Sequence, residues 1–202
     1  DGTDVGSTVS GLATGTTVVI DEGAEVLQTI DTAAGATLSI DVGATQAGTA
    51  GVTVTDAASV TVTGKAATGD IQQLTLDAVD TTSLTLTATS TNDLHTGAIT
   101  GTDKITSLTM TSAASGGTVE AASFADADSL TSLTITGVGG NIEIDDTLGT
   151  NGAGSAEELA TITATATAGS NIDLIGAITL DNVDTASGNL TTTITSSANG
   201  TD

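Results

Sequence analysis

The chain contains no Cys, Pro, Trp or Tyr, and only one Phe (Phe124), one Met (Met110) and one His (His95). Without Cys there are no disulfides, thiolate nucleophiles or Cys-ligated metals, and a lone His does not build a zinc site. Without Pro, turns rest on Gly, Asn, Asp and Ser. Without large aromatic anchors, the core must come from Val, Ile, Leu and Ala, which suits many small stacked contacts better than one central globule. Cationic residues are also scarce. Lys65 and Lys104 stand against 25 acidic residues, for a formal net charge of −23 over 202 residues. Nucleic-acid binding needs clustered Lys and Arg and is excluded as a function class. No apolar run reaches the roughly 18 residues of a transmembrane helix. Neither an initiator Met nor a signal-peptide pattern is visible, so the sequence reads as a segment of a longer chain.

What is abundant is Thr, then Ala and Gly. Thr and Val favour strands because a branched Cβ fits a pleated surface. Period-2 alternation recurs along the chain, as in Val60-Thr61-Val62-Thr63, Leu84-Thr85-Leu86-Thr87, Leu108-Thr109-Met110-Thr111, Leu133-Thr134-Ile135-Thr136 and Ile162-Thr163-Ala164-Thr165. Each predicts a short strand with apolar residues on one side and Thr on the other. This regularity argues against disorder, and Ala121–Ala127 and Ser155–Leu159 are the only weak helical signals.

The strands belong to a loose repeat. Asp103-Lys104-Ile105-Thr106-Ser107-Leu108 returns as Asp128-Ser129-Leu130-Thr131-Ser132-Leu133. The strand positions Leu84, Leu108, Leu133 and Ile162 follow one another at unequal steps that lengthen along the chain. A second apolar pair lies between the copies, at Ala98-Ile99, Val119-Glu120-Ala121, Ile142-Glu143-Ile144 and Ile172-Asp173-Leu174. Near the N-terminus, Val19-Ile20-Asp21 is echoed by Ser39-Ile40-Asp41. Two or three strands per repeat predict an all-β parallel β-helix, a β-solenoid of roughly 24–29-residue units. Residues 1–70 form its N-terminal β-rich segment and 71–202 its repeat region. Tandem immunoglobulin-like β-sandwiches are the alternative, weakened by the missing Trp and Tyr.

The Leu130-Thr131-Ser132-Leu133-Thr134-Ile135-Thr136-Gly137 pattern, the Thr/Ala/Gly/Asp bias and the lack of Cys resemble bacterial surface-layer proteins and the β-helical repeat regions of large secreted adhesins. The resemblance implies an extracellular structural protein that self-assembles into a cell-surface layer or filament with Ca²⁺ bridging. It also implies attachment to a surface glycan or lipopolysaccharide through other parts of the chain. An adhesin stalk or ligand-binding module is the alternative. Gly139-Gly140-Asn141-Ile142-Glu143-Ile144-Asp145 is only a fragment of the calcium-binding β-roll nonapeptide and does not repeat.

Chemistry-bearing groups are few. His95 has Asp93 nearby but no distinctive partner, so no catalytic residue is assigned and no enzyme activity is expected. Asp126, Asp128, Asp145, Asp146, Asp181 and Asp184 gather carboxylates in predicted turns and are candidate Ca²⁺ ligands, Ca²⁺ being a hard cation that takes oxygen. The pairs Thr85/Thr87, Thr109/Thr111, Thr134/Thr136 and Thr163/Thr165 resemble the hydroxyl faces of ice-binding solenoids, a minor alternative. The varying repeat length predicts that such a lattice is spoiled.

Overall fold

A computed structural model describes residues 8–20, 28–42, 51–64, 74–89, 91, 93–124, 127, 129–145, 159–167, 169–174 and 191–196. They form a parallel β-solenoid with no α-helix among them, in agreement with the periodicity. The strands are β1 (Thr8–Leu12), β2 (Thr16–Ile20), β3 (Gln28–Val42), β4 (Gly51–Gly64), β5 (Leu74–Ala78), β6 (Ser83–Ala88) and β7 (Leu94–Thr100). They continue as β8 (Ser107–Thr111), β9 (Val119–Phe124), β10 (Ser132–Gly137), β11 (Ile142–Ile144), β12 (Thr161–Ala166), β13 (Ile172–Leu174) and β14 (Thr191–Ser196).

Two faces run the length of the stack. One is β2, the C-terminal half of β3, the C-terminal half of β4, then β6, β8, β10, β12 and β14. The other is β1, the N-terminal halves of β3 and β4, then β5, β7, β9, β11 and β13. β3 and β4 are long because each bends through both faces. β3 bends at Gly35 (φ 76°) and β4 at Asp56 (φ 65°), a residue type that tolerates the left-handed region. β4 lies within residues 1–70 and pairs with β5 and β6 beyond them.

The core lies between the faces. Rows such as Val60–Leu84–Leu108–Leu133–Ile162 and Val62–Leu86–Met110–Ile135 point inward, and Phe124 fills the row of Ile99. The same-type stacking matches the sequence spacing residue for residue from Leu84 to Ile162. Two sequence alignments shift. Val119 stands beside Leu94 rather than Ala98, and Ile99 beside Phe124. At the N-terminal end Val18 pairs with Ile40 and Ile20 with Val42, whereas the sequence echo sets Ile20 against Ile40. The observed register still puts the apolar residues of both strands on the same side. Ala121 lies within β9, so the weak helical signal there gives way to pairing.

Corners hold the register. At one corner the backbone N–H and the hydroxyl of the same Thr both donate to one carbonyl in the previous coil. Thr82 donates to Ala58 O (2.9 and 2.9 Å), Thr106 to Thr82 O (2.8 and 3.1 Å) and Thr131 to Thr106 O (3.0 and 2.9 Å). On the face that runs from β4 to β14, differences in coil length fall between the strands rather than within them. Residues 79–82 join β5 to β6, whereas 145–160 join β11 to β12. The predicted spoiling of the Thr lattice therefore does not occur: from β4 to β14 the pairing carries no shift.

Candidate functional surfaces

The two faces differ in chemistry. On the β4–β14 face, three outward columns run Ser59–Ser83–Ser107–Ser132–Thr161, Thr61–Thr85–Thr109–Thr134–Thr163–Thr193 and Thr63–Thr87–Thr111–Thr136–Thr165–Thr195. Every position is Ser or Thr. The four Thr pairs singled out from sequence are joined by Thr61/Thr63 and Thr193/Thr195. The grid stops at β3, where Asp41 aligns with Thr63.

The opposite face is ionisable. His95, Glu120, Glu143 and Asp173 stand side by side on β7, β9, β11 and β13. The imidazole Nδ1 of His95 lies 2.9 Å from Glu120 Oε2. Burial pushes the Glu120 carboxyl above the ordinary carboxylate value. His95 pulls it down, but Asp145 and Glu143 reinforce the rise. Sequence reading named His95 and Asp145 but missed Glu120 and Glu143 as members of a site. The signal was the recurring triplets Val119-Glu120-Ala121, Ile142-Glu143-Ile144 and Ile172-Asp173-Leu174, which the structure pairs residue for residue; only His95 stood outside that alignment.

Of the candidate Ca²⁺ ligands, Asp145 is exposed at the end of β11. Its N–H donates to Ala121 O (3.0 Å), and its carboxyl shares a hydrogen bond with Glu120. Asp126, Asp128, Asp146, Asp181 and Asp184 lie outside the described residues. Among the described residues no cluster of three or more His, Asp or Glu is arranged to hold a metal. The Gly139-Gly140 pair has a packing role. A Cβ at Gly140 would overlap the Gly117 carbonyl, and one at Gly139 the Ala114 carbonyl, both in the neighbouring coil.

Asp80 and Lys104 form an exposed pair across a corner, with Nζ 2.5 Å from Oδ1. The Lys104 hydrogen bond, with help from the Asp56 N–H, holds the Asp80 carboxyl below its ordinary value, and the same contact raises Lys104. No helix among the described residues is long and apolar enough to cross a membrane. Both ends of the described stack leave the inward row uncovered: Val9, aligned with buried Ile30, is 43% exposed, and Ile194, aligned with Ala164, is 71% exposed. No protein-family model, curated protein or solved structure matches this chain.

Proposed function

We propose that this chain is a structural rod segment of an extracellular surface layer or filament, built by end-on stacking of solenoid units. The observation that carries the reading is the uncovered inward row at both ends of the described stack. A parallel solenoid satisfies each strand through its neighbours, so an open terminal coil presents unpaired backbone groups and an apolar row that another unit can continue. Stiffness comes from the strand ladder and corner hydrogen bonds. Charge repulsion within a chain of net charge −23 favours assembly where screening or divalent ions such as Ca²⁺ bridge carboxylates. No catalytic role is included.

Electron microscopy and sedimentation of the purified chain, with Ca²⁺ and with a chelator, test this. Filaments or sheets that Ile194→Lys disrupts are expected. A chain that stays monomeric at every concentration and Ca²⁺ level overturns the reading. Monomers that bind a surface glycan would favour the adhesin module instead.

A further inference from the structure

We infer that the Ser/Thr face from β4 to β14 binds ice, the hydroxyl grid meeting ordered water at the crystal surface. The first observation is geometric. Parallel strands stand about 4.8 Å apart and alternate residues about 6.6 Å apart along a strand. Six strands in unbroken register therefore carry Thr61, Thr85, Thr109, Thr134, Thr163 and Thr193, with their partners two residues on, in a rectangular grid. The cross-strand repeat lies close to the shorter oxygen repeat of the prism faces of hexagonal ice.

The second observation is chemical. Thr is a good strand residue, and strand preference alone would place it equally on both faces. It does not. The same coils that line one face with Ser and Thr alone hold His95, Glu120, Glu143 and Asp173 on the other. In a chain with 25 acidic residues, the outward Ser and Thr columns carry no charge across six strands. Neutrality is what an ice surface requires, because a charged group carries a hydration shell that does not fit the lattice. Thr supplies a hydroxyl for a lattice position and a methyl that excludes loose water.

A second copy of the chain fits the face less well. The grid spans about 24 Å by 13 Å, roughly 300 Å² in projection, from the strand spacings, against about 800 Å² per partner in a stable protein interface. It also lacks the Trp, Tyr or Arg anchors that dominate such interfaces.

The test is partition into ice grown slowly in a dilute solution of the whole chain, with circular dichroism to confirm the fold. The wild-type chain is expected to be enriched in the ice. Thr109→Lys with Thr134→Lys, at the centre of the grid, should lose the enrichment, and Asp173→Lys on the other face should keep it. If the Lys pair does not fold, Thr109→Val with Thr134→Val, which keeps the branched shape and removes the hydroxyls, is measured in its place and should also lose enrichment. Exclusion of the wild-type chain from ice overturns the inference, as does equal enrichment of the grid variants. A dimer in sedimentation that the Lys pair dissolves also overturns it, and gives the face to a second copy.

Discussion

His95 Nδ1 and Glu120 Oε2 face each other at 2.9 Å across neighbouring parallel strands, although the whole of β8 lies between them in the chain. The pair does not hold the Glu120 carboxyl down: burial raises it, and against the pull of His95 both Asp145 and Glu143, its neighbour on the other side, add to the rise.

Glu120 therefore sets a pH dependence. Its folded-state value lies above the unfolded one, so its contribution is fully present at acid pH below the ordinary carboxylate value. That contribution is lost as pH rises through the elevated value. Glu120→Gln should raise stability at neutral pH by about 0.2–1 kcal/mol, the scale of a like-charge cross-strand pair. It should also flatten the dependence of the unfolding midpoint on pH from the ordinary carboxylate range upward. Denaturant melts at a series of pH values check this. A destabilised variant at neutral pH would mean that the His95 contact outweighs the repulsion.

Ser112 tests the corners. Its buried hydroxyl donates to Gly140 O at 2.6 Å and accepts from the Val138 N–H at 2.9 Å. Ser112→Ala strands both groups and should cost about 1–3 kcal/mol. Gly140→Ala, which drives a methyl into the Gly117 carbonyl, should cost a similar amount, about 1–3 kcal/mol. Urea unfolding of both variants provides the measurement.

The core predicts a gradient along the rod. Leu108 is buried in the middle of its row, and Leu108→Ala should cost about 2–5 kcal/mol. Ile194 is largely exposed, and Ile194→Ala should cost about 0.5 kcal/mol or less in the monomer, as at surface positions. Equal losses at the two sites in dilute solution would show that the terminal row is already covered.

Much of this architecture was legible from alternation alone. Leu84, Leu108, Leu133 and Ile162 were aligned correctly because branched and apolar residues at period two leave one arrangement that buries them all. The face of β7, β9, β11 and β13 was misaligned at its first step, between β7 and β9. β7 carries an irregularity between the partners of Leu74 and Leu76, and Gly97-Ala98 breaks the alternation there. The same shift hid His95 from the ladder, whereas Glu120, Glu143 and Asp173 fall in register as their triplets align. Unequal coil lengths also suggested a broken Thr lattice, since sequence does not say whether extra residues enter a strand or a connection.

By itself, then, the sequence determined a parallel, aromatic-poor, acidic stack of Thr-rich strands, because composition and period leave few other ways to bury Val, Leu and Ile. Tertiary structure alone decided which residues became neighbours. The corner hydrogen bonds of Thr82, Thr106 and Thr131, and the close passage at Gly140, lock one coil over the next. That locking keeps the strands of the hydroxyl face in register although the coils differ in length. It is why one face became an unbroken field of hydroxyls and the other a row of ionisable side chains.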